Sequence, residues 1–216
     1  MRLKAVLFDY DGVTADTPRL NYAAWQHVFA QAGAAVSERE YYLLEGHGPK
    51  KVSAALCKAH GIDASDIEEL TRAKETYMRT LGEPRVYVEI PGLLATLKQA
   101  GLLLGLVTGA SRSRIQQSLS SEIRPYYDAI VTSDDVVHTK PDPEPYLKAA
   151  RALELEPASI LVVENAPLGI QSAKSAGMTC VALTTTLDQA DLEVADTILH
   201  SHVSLVSELT SQIQSR

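Results

Sequence analysis

Cysteine is nearly absent from this chain. Of 216 residues only Cys57 and Cys180 carry a thiol, and they stand far apart. That excludes a disulfide framework and any zinc site built on paired cysteines. No run of five or more basic residues occurs, and the net charge is 20 − 27 = −7. Nucleic acid is therefore excluded as a partner. No apolar stretch approaches the roughly 18 residues that span a bilayer, so a membrane is excluded too. The opening MRLKAVLFDY is too short in its apolar run, and too soon acidic, for a signal peptide. A soluble, cytoplasmic monomer is expected.

What is present is ordinary globular composition, 45% hydrophobic and 22% charged. It suffices for one sizeable core, or a core with a small second domain. Six short apolar runs read as strands: 3–8, 102–108, 129–133, 159–164, 180–185 and the weaker 197–200. Continuous rather than alternating apolarity means burial on both faces, as in a parallel sheet. Helices punctuate the runs. Pro91-Gly92 precedes Leu93, Leu94 and Leu97, with Gly101 as the stop; Asp142-Pro143 starts another; Pro167 opens a third that Gly177 closes. The alternation predicts a doubly wound, Rossmann-like α/β core.

One block breaks the rhythm. From about residue 16 to 85 no strand is legible. Thr17-Pro18 starts a helix with Trp25, Val28, Phe29 and Ala32 on its apolar face, ended by Gly33. Further helices are expected around 49–60 and 64–81. The predicted division is a core of 1–15 with 87–216 and an all-helical cap of 16–86, inserted after the first strand. Its two crossings, near Thr14–Asp16 and Glu83–Glu89, suit a lid.

Ligands of open α/β sheets bind outside the carboxyl ends of the strands. There the sequence places Asp9 and Asp11, then Thr108 and Gly109, then Lys140, then Glu164 and Asn165. Taken singly, each has a plain structural use: turn former, helix cap or solvated loop lysine. Together, carboxylates and an amide suit a hard cation such as Mg²⁺, while Lys and Thr suit a phosphate. Asp134 and Asp135, past the third strand, are expected to cap or bond the following loop rather than bind metal.

The segments FDYDGV, VTGAS, TKPDPEPYLKAA and VVENAPLGIQSAKSAGM resemble, in order, the four motifs of the haloacid dehalogenase superfamily. The helical insert resembles the cap of its β-phosphoglucomutase-like branch. The resemblance implies a Mg²⁺-dependent phosphohydrolase acting on a small soluble phosphate, a sugar phosphate or similar. In it Asp9 is the nucleophile and Asp11 the acid and then base. Thr108 and Lys140 hold the phosphoryl group, and Lys140 also bonds Asp9. Gly109, Ala110 and Arg112 would line the phosphate. Asp9, Asp11, Glu164 and Asn165 would surround the metal, with Asn165 where the family usually places an Asp.

The cap carries the alternatives. Asn21 stands where the mutases have a histidine, Pro49 with neighbouring Lys50 stands at a mutase arginine, and the mutase lysine aligns near Ala73, flanked by Arg72 and Lys74. Those losses count against a mutase. Glu45-Gly46 and ENAPLG resemble a set that includes inorganic pyrophosphatases, which makes Glu45 a candidate metal ligand on cap closure. Ala110 departs from a serine of that set, and Arg112 stands near a glutamine position. His47, in the same loop, is a candidate contact for the leaving group. Pyrophosphatase is the runner-up, and a catalytically idle metabolite-binding relative is the alternative of another class.

Overall fold

The computed structural model describes residues 3–214. Six strands form one parallel sheet: β1 (Ala5–Phe8), β2 (Leu103–Val107), β3 (Ala129–Val131), β4 (Ile160–Glu164), β5 (Thr179–Leu183) and β6 (Thr197–Leu199). Their order is β3-β2-β1-β4-β5-β6. β1 and β4 are wholly buried, as their unbroken apolar runs require. Alternate residues of β1 enter opposite layers.

Val6 and Phe8 pack beneath α5 (Ile90–Gln99) and α9 (His202–Gln214), through Leu93, Leu97, Leu205 and Leu209. Ala5 and Leu7 face the other layer, where α7 (Glu144–Ala152) and α8 (Pro167–Ser175) bring Tyr146, Ala149, Ile170 and Ala173. Each fully buried aliphatic or aromatic side chain contributes about 1.5–3 kcal/mol. These two layers therefore hold the sheet rigid under whatever its rim carries. The remaining core helix, α6 (Arg112–Ser118), follows β2 and is capped by Ser111, whose hydroxyl accepts from Arg114 N at 3.3 Å.

Four helices stand between β1 and α5: α1 (Pro18–Gln31), α2 (Glu38–Tyr42), α3 (Pro49–His60) and α4 (Ile67–Met78). Trp25, Val28 and Phe29 are buried as the spacing predicts; Ala32 is exposed, because it caps the helix end rather than continuing its face. The two crossings into this block lie side by side. Ala15 bridges Val86, Asp16 N donates to Arg85 O at 2.8 Å, and Tyr87 N donates to Thr14 O at 3.2 Å.

The sheet order reverses direction between β1 and β4, which is where a doubly wound fold opens a crevice at its carboxyl edge. Asp9 follows the last residue of β1, and β4 ends at Glu164. The register pairs Phe8 with Val163, so the two acids come out at the same level of the rim.

Candidate active site

Asp9 extends the ladder by one bond, its N–H donating to Val163 O at 3.0 Å. That bond fixes the carboxylate at the crevice. Its Oδ1 accepts from Lys140 Nζ at 2.7 Å. Lys140, 1% exposed, gives its other protons to Val107 O at 3.0 Å and Glu164 Oε1 at 2.5 Å. A buried ammonium with three acceptors is fully satisfied. Burial works against its charge, but Asp9 and Glu164 outweigh burial and raise its pKa. Glu164 Oε1 also accepts from Tyr146 OH at 2.7 Å, and Oε2 from Asn165 N at 3.0 Å. A Cβ on Gly169 would stand 1.9 Å from Glu164 Oε1, so the first turn of α8 must pass this pinned carboxylate without a side chain.

Asp11 is held differently. Arg114, reaching across from α6, grips it with both terminal nitrogens, the Nη1 bond measuring 3.1 Å. Thr17 Oγ1 and Asn21 Nδ2 (3.0 Å) donate to the same carboxylate. Burial pushes Asp11 up, but Arg114 and the Thr17 bond outweigh it and hold the group below the ordinary carboxylate value. Asp9 fares the other way. Burial, with Glu164 and Asp11 nearby, pushes it up to about 7 against the pull of Lys140.

The helical block closes over this pair. α2 begins with a capping box, Ser37 with Glu40, and the loop after it turns at Gly46 (φ 97°) before Gly48-Pro49 starts α3. That loop drives Glu45 into the crevice, where it is 5% exposed. Asn165 Nδ2 donates to Glu45 Oε2 at 3.4 Å; Glu45 Oε1 is buried with no hydrogen-bond partner among the described residues. Burial, then the charges of Asp11 and Asp9, raise Glu45 well above its usual range. The cavity, about 40 Å³, is lined by Asp9, Asp11, Glu45, His47, Lys74 and Arg114 among others.

Gly109 is the tightest point of contact between loop and sheet. A Cβ there would lie 2.7 Å from Gly46 O and 2.8 Å from His47 O. Both are backbone atoms and cannot swing aside. Gly109→Ala is therefore expected to hold the loop off the crevice and lower kcat/KM by about 10²-fold, with an unchanged melting temperature. Steady-state kinetics beside a thermal melt checks this; wild-type kcat/KM would show that the loop does not need this seat.

Residues 6–183 match the family described as "Haloacid dehalogenase-like hydrolase". The chain belongs to that family. Within it, a validoxylamine A 7'-phosphate phosphatase of Streptomyces hygroscopicus subsp. limoneus is 34% identical over 203 residues, 91% of this chain and 92% of the relative. Pyrophosphatase PpaX of Bacillus mycoides is 30% identical over 190 residues, 87% of this chain and 86% of the relative. The solved β-phosphoglucomutase of Clostridium difficile superposes with a TM-score of 0.84 at 21% identity, covering 99% of this chain and 98% of that one. That likeness shows the fold.

Most residues expected at a haloacid dehalogenase-like site meet in one place. Asp9, Asp11, Asn21, Glu45, His47, Gly109, Ala110, Glu164 and Asn165 all line the cavity. Thr108 is buried at the end of β2, its hydroxyl accepting from Ala110 N at 3.0 Å. Two expected residues stay outside. Arg112 is exposed and paired with Asp135, and Lys50 bonds Glu68 on the surface at 2.5 Å. Helical phase explains the first: Arg112 and Arg114 sit two positions apart on α6, on opposite sides, and Arg114 is the one turned inward. Lys74 was also passed over. It follows Leu70 by one turn and precedes Met78 by another, so α4 buries it, and its Nζ reaches Asn21 Oδ1 at 2.8 Å. Asp134 and Asp135 serve α6 and the β3 exit: Asp134 accepts from Arg112 N, and Asp135 closes a capping box with Thr132.

Proposed function

We propose that the protein is a Mg²⁺-dependent phosphohydrolase of small soluble phosphate monoesters, working through an aspartyl-phosphate on Asp9. The observation that carries this reading is the buried Lys140 ammonium, 2.7 Å from Asp9, with a second acid two residues along the chain. An Asp9 oxygen attacks phosphorus and the bond to the leaving oxygen breaks. Asp11 supplies that oxygen with a proton. Asp11 then takes a proton from water, whose oxygen attacks the phosphoryl group, and Asp9 leaves as a carboxylate. Lys140 keeps Asp9 oriented and offsets the charge of the incoming phosphate. Arg114 must release Asp11 before Asp11 can carry a proton to the leaving group.

The donor set fits the metal. Among the described residues no three His, Cys, Asp or Glu side chains form a closed ligand cage. Mg²⁺ does not ask for one, since it is held by one or two carboxylates, with waters and substrate phosphate completing its shell. Asp9, which burial pushes up to about 7 despite Lys140, and Glu45, with one unpartnered oxygen, would both be steadied by a cation. With Asn165 they offer oxygen ligands only, and the bound ion would supply charge compensation for the phosphoryl group. Residues 16–86 act in this reading as the cap that brings Glu45 in. The two cysteines, both free and buried, agree with a reducing compartment.

Inorganic pyrophosphatase is the second reading, favoured by the small cavity and by the position of Glu45. Lys74 restores one group that a mutase would need, but Lys50 and Arg112 point away, and the mutase reading is not adopted. A panel of phosphate monoesters and pyrophosphate, ranked by kcat/KM with Mg²⁺, separates the two. Pyrophosphate far ahead of every ester would displace the first. Glu45→Ala is expected to raise the Mg²⁺ needed for half-maximal rate by about 10–100-fold. An unaltered requirement at normal rate rejects Glu45 as a ligand.

A further inference from the structure

A second cavity, of about 200 Å³, lies on the far side of Arg114, between α6 and the carboxyl end of α4. Glu75 and Arg114 line both cavities and so form the wall between them. That wall is made of ion pairs rather than packed hydrocarbon. Lys74 holds Glu75 at 3.0 Å, and Asp11 holds Arg114. Two buried atoms of residues that line this cavity, Arg114 Nε and Ser118 Oγ, have no hydrogen-bond partner among the described residues. Unpaired buried donors are costly and point to a partner that arrives later.

The lining describes that partner. Ser111, Ser113, Gln117 and Ser118 present hydroxyl and amide groups. The charges cancel, Glu75 and Glu83 against Arg79 and Arg114. A second phosphate or a carboxylate would find no excess positive charge, and an aromatic group would leave the hydroxyls unpaired. A chain of carbons bearing hydroxyls matches both the apolar surface of Met78 and Pro84 and the neutral polar groups.

We infer that this second cavity is the leaving-group subsite, that it takes a polyhydroxylated carbon chain, and that Arg114 is the specificity residue that joins it to the crevice. The guanidinium turns from Asp11 to the hydroxyls of the leaving group, the wall opens, and Asp11 is freed toward the ester oxygen. The inference rests on the phosphohydrolase reading and narrows it to monophosphates of polyols.

The test is the ratio of kcat/KM for glucitol 6-phosphate to that for methyl phosphate, measured on the full chain with Mg²⁺. The wild type is expected to favour the polyol ester by at least about tenfold, the discrimination a site built for hydroxyls supplies. Ser113→Trp, an exposed helix position on the cavity wall, should fill the space and cut that ratio at least about tenfold. Gln117→Trp is the second filling variant should the first fail to fold. Arg114→Lys should lower the ratio as well, since an ammonium cannot make the forked contacts. Release of phosphate from both esters with a flat wild-type ratio, or a ratio that the filling variants leave unmoved, overturns the subsite alone. No release from any ester overturns the phosphohydrolase reading and the subsite with it.

Discussion

Asp9→Asn is expected to abolish phosphate release, lowering kcat by at least about 10⁴-fold, equivalent to about 5 kcal/mol of barrier. The substitution removes the nucleophile while preserving shape. An amide oxygen can still accept from Lys140 Nζ, which keeps Val107 O and Glu164 as its other partners. The fold should therefore survive, and circular dichroism with a thermal melt will establish that it has. Chemistry, not packing, is what the variant lacks. Turnover of an aryl phosphate by Asp9→Asn at the wild-type rate would remove Asp9 from the reaction.

Lys140→Met carries the second large effect, and it strikes stability and rate together. In the wild type one ammonium pairs with both Asp9 and Glu164, which are buried. Methionine fills a comparable volume but leaves two carboxylates facing each other without a counter-charge. Stranding a buried charge in this way costs about 3–5 kcal/mol. The sign with pH follows from Asp9. Burial already raises it from 3.8 to about 7 with Lys140 present, and losing Lys140 raises it further. An acid whose folded pKa lies above its unfolded value destabilises the fold increasingly as pH rises from the unfolded pKa through the folded one. The penalty of Lys140→Met should thus be small near pH 4 and large at pH 8, read from denaturant melts across that range. A penalty independent of pH would mean that the lysine supports the fold by packing alone.

The strands were legible because burial on both faces leaves no room for polar interruption. All six apolar runs became strands of the sheet, with ends within one or two residues of those expected. The rim acids were legible for the complementary reason, since a buried strand that stops at Asp9 or at Glu164-Asn165 has to put those groups somewhere. Short elements escaped. α2, with five residues, and α6, with seven, are too brief for a 3.6-residue period to declare itself. α9 is rich in serine, so its buried pair Leu205 and Leu209 is easily missed.

Missing α6 had a consequence at the site. Without a helix expected there, no rule of phase distinguishes Arg112 from Arg114, and the resemblance points to Arg112 because it stands near a glutamine position. Lys74 is the opposite case: α4 is expected from the sequence, but the resemblance centres on Ala73 and does not say which of its neighbours α4 buries, one turn from Leu70 and Met78. In both cases the contact that matters joins distant segments. Arg114 meets Asp11 only once α6 has packed beside the exit of β1, and Lys74 meets Asn21 only once α4 has packed against α1.

The most direct test of the mechanism is to trap the covalent intermediate. Enzyme turning over an aryl phosphate with Mg²⁺ is quenched with borohydride, which reduces an acyl phosphate to an alcohol, and the peptides are mapped by mass spectrometry. The expected product is homoserine at position 9 and nowhere else. Homoserine at another aspartate, or an unmodified Asp9 under conditions of steady turnover, would contradict an aspartyl-phosphate on Asp9.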